Sequence, residues 1–485
     1  METSNQISKL PTNIEGFDEI SLGGLPAGRT TIVSGTAGSA KTLFASQFLV
    51  EAIKTGEPGV FVTFEEPPSD ISRNVKSFGW DIAKYEKQGK WAFVDASPGV
   101  QGDQLEAGDF DFNALQARIK AAIKKTGAKR ISIDSLGAVF SQFENAHAIR
   151  RELFALTRSI KEMGVTAVMT MERMEDYGSI GRFGVEEFVA DNVIIFRNIM
   201  AAEKRRRTIE ILKYRGTNHQ KGEFPFTINA KRGMVIIPLS AIELTQKSSN
   251  LRVTSGNSEM DKMCDGGFFR DSIILLSGAT GTGKTLMASE FIAGGVGANE
   301  KALFFAFEES REQIFRNAKS WGYDLEQMEK DGNLEVAGIY PESEGLEDHL
   351  LSIKDKIKRF KPNRIAIDSL SALERISTDK GFREFIIALT SYVKQEEITG
   401  LLTSTASSLA GGTTITETHI STITDSIILL RYIETHGEIR RGLTVLKMRG
   451  SKHEKNIREF TIDNDGMHVG QSLRDVAGVI SGNSM

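Results

Sequence analysis

Two glycine-rich loops, each ending in lysine and threonine, are the segments whose residue types most clearly indicate chemistry. The first, Gly35–Thr42, reads Gly-Thr-Ala-Gly-Ser-Ala-Lys-Thr, and the second, Gly278–Thr285, reads Gly-Ala-Thr-Gly-Thr-Gly-Lys-Thr. In such a P-loop, backbone N–H groups and the following helix N-terminus hold phosphates, the lysine reaches the outer phosphates, and the threonine offers its hydroxyl to Mg²⁺. The pattern predicts an ATP and Mg²⁺ site at each loop.

The first loop departs from the pattern at Ala40, where the second has Gly283. A β-carbon restricts the backbone torsions, so we expect the first loop to fit its nucleotide differently. The predicted nucleotide contacts are the two loops, the residue after each, and one downstream histidine per copy: Gly35, Thr36, Ala37, Gly38, Ser39, Ala40, Lys41, Thr42, Leu43, His219, Gly278, Ala279, Thr280, Gly281, Thr282, Gly283, Lys284, Thr285, Leu286 and His453.

The loops belong to a duplicated segment. Lys41 and Lys284 are 243 positions apart, as are Glu65 and Glu308, whereas downstream pairs such as Asp134 and Asp368 are 234 apart. The second copy has therefore lost nine residues, which the shifts place near Ser97 to Asp111. A repeat this long is a duplicated domain and not a solenoid unit. We predict domains at 1–237 and 251–485, joined by a linker at 238–250.

Carboxylates recur at matching places after short apolar runs. Asp134 and Asp368 close such runs, where a carboxylate at the end of a parallel strand reaches Mg²⁺ or its water. The adjacent pairs Glu65-Glu66 and Glu308-Glu309 follow other strands and can polarise an attacking oxygen or support a metal. A solvated acidic turn is the alternative, and recurrence in both copies favours function. The predicted metal-site residues are Thr42, Asp134, Thr285, Glu308 and Asp368.

Paired cations recur as well. Lys213 and Arg215, and likewise Lys447 and Arg449, alternate along a predicted strand and so share one face. Such pairs often only aid solubility. Their recurrence with a nearby histidine instead predicts a finger that reaches the nucleotide of a neighbouring subunit, which requires a ring.

Composition narrows the function classes. The 485 residues include 60 basic and 64 acidic side chains, giving a net charge of −4, so nucleic acid is an unlikely partner. One cysteine allows no internal disulfide, and the seven histidines show no metal-ligand spacing. The sequence shows neither a leader pattern nor about 18 consecutive apolar residues, so we expect a cytoplasmic protein without membrane association.

Strand-like apolar runs alternate with helix-length segments in both copies. The runs include Thr30–Ser34, Gly59–Phe64 and Arg130–Asp134, with counterparts such as Arg364–Asp368. This alternation predicts an α/β fold with a mostly parallel sheet covered on both faces in each domain.

These motifs together resemble the KaiC family of circadian clock ATPases over essentially the whole chain. The paired P-loops, both Phe-Glu-Glu motifs and Ile423–Leu430 stand where that family has them. The resemblance implies two tandem RecA-like P-loop domains that assemble as a double-ring homohexamer with ATP between subunits. It also implies a slow ATPase in the N-terminal ring and an autokinase and autophosphatase in the C-terminal ring.

The resemblance identifies Ser421 and Thr422 as phosphorylated residues. Their counterparts in the first copy are Glu187 and Phe188, which lack hydroxyls, so acceptance is expected only in the C-terminal domain. The family roles that the resemblance carries over are a base with an assisting carboxylate (Glu308, Glu309), cations at the transferred phosphate (Lys447, Arg449, Arg375), a water-orienting carboxylate in the first ring (Glu65), and Thr416 in the acceptors' hydrogen-bond network.

Partners are also expectations from the resemblance. KaiC proteins usually continue past the point matching Ile480–Met485 into a tail that binds KaiA. Either this member works without KaiA or the sequence is a shortened form, and we favour the first. KaiB docking on the N-terminal ring is expected, with Pro98–Asp109 as the candidate loop. The rival functions are a RecA-like DNA-dependent ATPase and an ATP-gated assembly switch that phosphorylates nothing.

Overall fold

Each P-loop follows a strand whose side chains are all buried. A computed structural model of the chain describes residues 7–96, 112–140, 146–181, 189–201, 204–238, 248–405, 420–435 and 437–473. It divides into two compact units, residues 1–241 and 242–485. The division falls within the stretch that the sequence predicts as a linker, most of which lies outside the described residues, as do the predicted features at 98–109, 187–188, 416 and 480–485.

The N-terminal unit alternates strands and helices and then ends in a run of antiparallel strands. Its strands are β1 Lys9–Leu10, β2 Leu25–Pro26, β3 Thr30–Gly35, β4 Gly59–Thr63, β5 Trp91–Asp95, β6 Arg130–Asp134, β7 Thr166–Glu172, β8 Asn192–Ala201, β9 Lys204–Tyr214, β10 Glu223–Asn229 and β11 Gly233–Ile236. Its helices are α1 Phe17–Ile20, α2 Lys41–Lys54, α3 Pro68–Lys76, α4 Ile82–Lys87, α5 Phe112–Thr126, α6 Leu136–Phe140 and α7 Ala146–Glu162.

The C-terminal unit repeats this order. Its strands are β12 Arg252–Val253, β13 Phe268–Phe269, β14 Ile273–Gly278, β15 Ala302–Ala306, β16 Leu334–Gly338, β17 Arg364–Asp368, β18 Thr399–Thr405, β19 Ser426–Thr435, β20 Glu438–Met448, β21 Arg458–Asp463 and β22 Gly466–Ser472. Its helices are α8 Ser258–Met263, α9 Lys284–Gly297, α10 Arg311–Ser320, α11 Leu325–Lys330, α12 Leu346–Phe360, α13 Leu370–Arg375 and α14 Asp379–Gln395, with a 3₁₀ turn at Pro341–Ser343.

Both units contain a nine-stranded sheet with the same strand order. In the first the order is β5-β4-β6-β7-β3-β8-β9-β10-β11, and in the second it is β16-β15-β17-β18-β14-β19-β20-β21-β22. The first six strands of each order are parallel and the last three pair antiparallel. The predicted α/β class with mostly parallel sheets is confirmed.

Alternation along the central strands explains why helices cover both faces. On β3, Val33 belongs to one buried cluster with Phe44 and Phe48 of α2, whereas Ile32 belongs to another with Leu153 of α7. Successive side chains of a strand point to opposite faces, so an all-apolar run must be buried on both. The sheet therefore lies between two helical layers.

Strand direction separates the features that the sequence predicts as one site. The parallel strands end at one edge of the sheet, where Gly278 pairs beside Leu430 of β19. The antiparallel strand β20 runs back, so Lys447 pairs with Ile427, at the start of β19. In each unit the P-loop and the predicted cation finger thus lie at opposite edges of the same sheet.

Candidate functional site

The two P-loops have the same geometry around their lysines. Lys284 Nζ donates to the carbonyls of Gly278 and Ala279 at 2.9 and 3.0 Å, and Lys41 Nζ donates to those of Gly35 and Thr36 at the same distances. Burial lowers the pKa of both lysines, and neighbouring carboxylates oppose that shift. Each lysine is therefore held across the loop, next to the acids that follow neighbouring strands.

Ala40 adopts the left-handed conformation that its loop requires despite its β-carbon. Its φ and ψ are 72° and 29°, close to the left-handed conformation of Gly283 at 106° and 19°. A β-carbon built on Gly283 would lie 2.9 Å from Ile462 Cδ1. The first loop accommodates alanine at this position, whereas the φ of 106° in the second favours glycine.

The strand-terminal aspartates lie next to the P-loop threonines. Asp368 accepts a hydrogen bond from Thr285 at 2.6 Å and another from Thr403, and Asp134 likewise accepts from Thr42 at 2.8 Å and from Thr170. Burial raises the pKa of both aspartates, and these hydroxyl donors oppose the shift. A carboxylate beside a threonine hydroxyl is the pair of groups that a protein contributes to the Mg²⁺ site of a P-loop.

Each glutamate pair is oriented by side chains from other elements. Glu308 accepts from Ser369 at 3.1 Å and from Arg375 at 2.9 Å, while Glu309 accepts from Asn317 at 2.7 Å. Burial, aided by Asp368, raises the pKa of Glu309. Fixed carboxylates at this edge can accept a proton from an attacking oxygen.

The first domain repeats the glutamate arrangement. Glu65 accepts from Ser135 at 2.5 Å, and Glu66 accepts from Asn74 at 3.1 Å. Burial, aided by Asp134, raises the pKa of Glu66. The position of Arg375 corresponds to Ser141, which lies outside the described residues.

Two cavities of the C-terminal domain meet at Glu308 and Glu309. The first, about 340 Å³, contains the P-loop, Asp368 and Trp321. The second, about 970 Å³, is lined by Arg375, Tyr340 and His349, among others. Glu308 and Glu309 line both the cavity at the P-loop and this second cavity.

Sequence reasoning missed several residues at this edge. Thr170 and Thr403 lie on strands next to the aspartates, and strand threonines carry no distinguishing signal. Asn74, Asn317 and Trp321 lie on or just after helices that follow the glutamates. The serines after the aspartates, Ser135 and Ser369, could have been found because the Asp-Ser pair recurs in both copies.

The predicted finger cations are placed elsewhere, at the opposite edge. Lys447 Nζ donates to the carbonyls of Ser421 and Thr424 at 2.6 and 2.7 Å, and Arg449 Nη2 donates to that of Thr422 at 2.6 Å. Arg449 also lies 3.6 Å from Asp425. The cations and the Ser421–Thr422 segment therefore form one unit.

The corresponding cations of the first domain have the same placement. Lys213 donates to the carbonyl of Ala190 at 2.9 Å, and Arg215 lies 3.7 Å from Asp191. Both arginines follow their strands by one residue, since β9 ends at Tyr214 and β20 at Met448, which corrects the prediction that they lie within the strands. His219 and His453 lie in the connections to β10 and β21.

The distance between the two edges is large. β14 has six residues, and at about 3.3 Å per residue its ends are roughly 17 Å apart. The P-loop begins at its last residue, Gly278, whereas Asp425 accepts a hydrogen bond from the N–H of its first, Ile273, at 2.9 Å. Ser421, Thr422 and the cations Lys447 and Arg449 therefore lie at the end of the sheet opposite the P-loop of the same chain.

Comparison with known proteins agrees with the duplicated architecture. The family model described as "ATPase: KaiC" matches residues 10–241 and again residues 253–474. The chain belongs to the KaiC family. It is 63% identical over 484 residues to the circadian clock protein KaiC3 of Synechocystis sp., which covers 100% of this chain and 96% of that protein.

Other relatives match over nearly the full length. The circadian clock oscillator proteins KaiC of Thermosynechococcus vestitus and Synechococcus elongatus are each 56% identical, over 482 and 477 residues. These matches cover 99% and 98% of this chain and 92% of each relative. The chain has two KaiC ATPase domains, so each P-loop lies in a domain of an ATP-using family.

Among the helices that the structure describes, none is long and apolar enough to cross a membrane. Within the same described ranges, no group of three or more His, Cys, Asp or Glu side chains is arranged to hold a metal ion. Mg²⁺ usually binds one or two protein carboxylates together with substrate phosphates, so its site does not require a cluster of protein ligands. The threonine–aspartate pairs fit this kind of site.

Proposed function

We propose that the C-terminal domain transfers the γ-phosphoryl group of ATP to Ser421 and Thr422 of a neighbouring subunit. The opposite-edge placement of the P-loop and of the Ser421–Thr424 segment carries this proposal, because it leaves the acceptors out of reach of their own P-loop. A ring in which one subunit's acceptor edge faces the next subunit's P-loop edge brings them together. The homohexamer implied by the family has this head-to-tail arrangement.

The transfer is an in-line displacement. The hydroxyl oxygen of Thr422 or Ser421 forms a bond to the γ-phosphorus as the bond to the bridging oxygen of ADP breaks, and the hydroxyl proton passes to Glu308. Glu308 lines both cavities, so it can contact a hydroxyl arriving from one side while nucleotide phosphates occupy the other. Glu309, whose pKa is raised, supports proton acceptance beside it.

Cations stabilise the transferred charge. Lys284 contacts the outer phosphates from the P-loop of the same subunit, while Lys447 and Arg449 arrive with the acceptor segment. Arg375, which pairs with Glu308 at 2.9 Å, is the cation proposed to bind the transferred phosphate. Thr285 and Asp368, with Glu308 nearby, would hold Mg²⁺, which would neutralise phosphate charge.

The N-terminal domain is proposed to hydrolyse ATP. Glu65 takes the place of Glu308 and orients water, with Glu66 beside it, while Thr42 and Asp134 form the metal side. Lys213, Arg215 and His219 serve the neighbouring subunit's nucleotide. Because Glu187 and Phe188 replace the acceptor hydroxyls, water is the attacking group here.

KaiB is the partner proposed for the N-terminal ring, by family likeness. The C-terminal ring is also proposed to remove its own phosphates. Each phosphate adds about −1.5 to −2 charges beside a subunit interface, enough to change ring packing.

The experiment is incubation of the purified protein with γ-labelled ATP and Mg²⁺, without any partner, followed by phosphosite mapping. Retained label on Ser421 and Thr422, absent from the Ser421→Ala/Thr422→Ala variant, is expected. Hydrolysis with no retained label in the wild type would reject the kinase and leave an ATP-gated assembly switch.

A further inference from the structure

Glu290 is a buried acidic residue that the proposed transfer does not use. It lies on α9, the helix that begins at Lys284 of the P-loop, and it is only 1% exposed. Its Oε1 accepts hydrogen bonds from the N–H of Met467 on β22 at 2.7 Å and from the hydroxyl of Tyr323 at 3.1 Å. The carboxyl group thus joins the P-loop helix, the segment after α10 and the β21–β22 hairpin.

Both segments that Glu290 holds also form walls of the cavity at the P-loop. Trp321, two residues before Tyr323, lines that cavity, as does Ile462, which pairs with Met467 in the hairpin. Trp321, Tyr323 and Ile462 pack against one buried cluster. A shift of either hydrogen-bonded partner of Glu290 therefore moves an apolar wall of the cavity.

The carboxyl group is closely packed. Gly466 of the hairpin lies beside it, and a β-carbon built there would be 2.7 Å from Glu290 Oε1 and 2.8 Å from the Tyr323 hydroxyl oxygen. A buried carboxylate is stable only when it is paired or hydrated. Because Glu290 is buried, hydration of its ionised form requires that Tyr323 or the hairpin move away.

Ionisation of Glu290 costs free energy in this arrangement. Burial raises its pKa, and the neighbouring groups oppose the shift, namely the Met467 N–H, the Tyr323 hydroxyl, the Asn257 amide and the charge of His468. Burial and the nearby Glu290 also raise the pKa of Tyr323, so its hydroxyl stays a donor at neutral pH. The neutral carboxyl group is therefore the form that fits this arrangement.

The first domain has an uncharged version of the same contact. Gln47 accepts from the N–H of Met234 at 2.7 Å, and Trp80, which the shift of 243 residues aligns with Tyr323, lies beside the corresponding hairpin glycine. An amide does not titrate. The contact of Gln47 is therefore independent of pH, whereas that of Glu290 is not.

We propose that Glu290 is a positioning residue for ATP in the C-terminal domain, because it holds the Trp321 and Ile462 walls of the cavity when neutral and releases them when ionised. It acts through Tyr323 and Met467. The inference rests on the proposed binding of ATP at the second P-loop, but not on phosphoryl transfer. The affinity of this domain for ATP is therefore expected to fall as pH rises through the folded-state pKa of Glu290.

The test measures binding of a fluorescent, non-hydrolysable N-methylanthraniloyl ATP analogue by anisotropy between pH 5 and 8, with Mg²⁺. Full-length chains carry Lys41→Ala, which disables the first P-loop, with either Glu290 or Glu290→Gln. Titration of the analogue itself affects both chains equally, so the ratio of their dissociation constants is informative. This ratio, Glu290 over Gln, should rise about fivefold with pH, the factor expected for one net hydrogen bond. A constant ratio would overturn the proposal.

Glu326→Gln is the matched control. It makes the same exchange at an exposed glutamate of α11, three residues after Tyr323, which pairs with Lys330 at 2.6 Å. The Glu326→Gln chain should keep the pH dependence of the chain with Glu290. Loss of that dependence would show that removal of any nearby carboxylate abolishes it, and would overturn the role of Glu290.

Glu290→Ala separates positioning from charge. It removes both hydrogen bonds, so it should weaken binding even at pH 5, where Glu290→Gln should bind as well as the chain with Glu290. Equal binding by Glu290→Ala and Glu290→Gln at pH 5 would overturn the positioning role while leaving the ATP site intact. Absence of binding by the Glu290 chain at every pH would reject the ATP site itself and, with it, this proposal.

Discussion

Glu290 of the second domain and Gln47 of the first occupy corresponding positions and make the same contact with a backbone N–H. Glu290 lies on α9 and accepts a hydrogen bond from the N–H of Met467 at 2.7 Å, as Gln47 of α2 accepts from that of Met234. Glu290 is buried, and the hydroxyl of Tyr323 donates to the same oxygen at 3.1 Å. Burial raises the pKa of this carboxyl group.

Because the pKa of Glu290 is raised in the folded state, folding favours its neutral form. The resulting stabilisation is fully present below the unfolded-state pKa of about 4.3 and is lost as pH rises through the folded-state value. We expect Glu290→Gln to gain stability relative to wild type as pH increases, by about 1 kcal/mol or more at neutral pH. Urea unfolding of both proteins between pH 5 and 8 measures this difference.

Gln47→Glu provides the reverse exchange. It should introduce the same pH dependence into the N-terminal domain, where the wild type has a neutral side chain. Unfolding curves of Glu290→Gln and wild type that shift in parallel with pH would contradict the expectation.

The P-loop cap residues give a second prediction. Gly283→Ala should destabilise the C-terminal domain by about 1–3 kcal/mol, since alanine at φ 106° is strained and its β-carbon would contact Ile462. Ala40→Gly, the reverse substitution at the corresponding position of the first loop, should change the stability of the N-terminal domain by no more than about 1 kcal/mol. Thermal unfolding compares the two, and equal effects would show that the packing around the caps is alike.

At the scale of elements, Asp425 joins β14, α14 and the end of β20. Its carboxylate accepts from Ile273 N–H, pairs with Lys394 of α14 and lies near Arg449. Asp425→Asn removes the charge from these partly buried contacts and should destabilise the C-terminal domain by about 1–3 kcal/mol. Denaturant unfolding measures the loss.

Asp463→Asn is the control at this scale. Asp463 is more than half exposed and pairs with His468 at 2.8 Å. An exposed pair of this kind contributes little to stability, so we expect a much smaller loss than for Asp425→Asn. If Asp463→Asn lowered the stability as much as Asp425→Asn, the loss would be a general effect of removing a carboxylate. It would then not depend on the contacts that Asp425 makes with three elements.

The sequence predicts those elements whose signal is local. The short runs without charged residues before the glycines indicate buried parallel strands. Asp134 and Asp368 stand at the same place in the two copies, which indicates that both lie at the carboxyl ends of the strands. The placement of Lys447 and Arg449 depends on the direction of β20 relative to β14, which comes from sheet pairing and leaves no local pattern. The orienting residues Thr403 and Asn317 act across strands or turns and are ordinary residue types for their elements.

At the scale of the whole molecule, transfer between subunits predicts complementation. A Lys284→Ala chain has acceptors without a working P-loop, and a Ser421→Ala/Thr422→Ala chain has the reverse. Neither should label alone. After mixing and subunit exchange, label should appear on the Lys284→Ala chains, which a size tag distinguishes by electrophoresis.

The control for mixing is a Lys284→Ala/Ser421→Ala/Thr422→Ala chain, which should leave its partner chains unlabelled. Failure of complementation, in rings that native mass spectrometry shows to contain both variants, would place transfer within a chain. The sheet would then have to open by the length of β14 for each transfer.

The separation of P-loop and acceptor to opposite edges also governs how the protein responds to its own abundance. If transfer is between subunits, a single chain carries the P-loop of one catalytic site and the acceptor segment of another, but no complete site. Dilution below the concentration at which the chains assemble would then stop phosphorylation without any inhibitor. Near that concentration, the rate of phosphorylation would rise more steeply than in proportion to the concentration of the chain, because each catalytic site forms only when two chains associate. Synthesis and degradation of the chain would therefore control phosphorylation strongly.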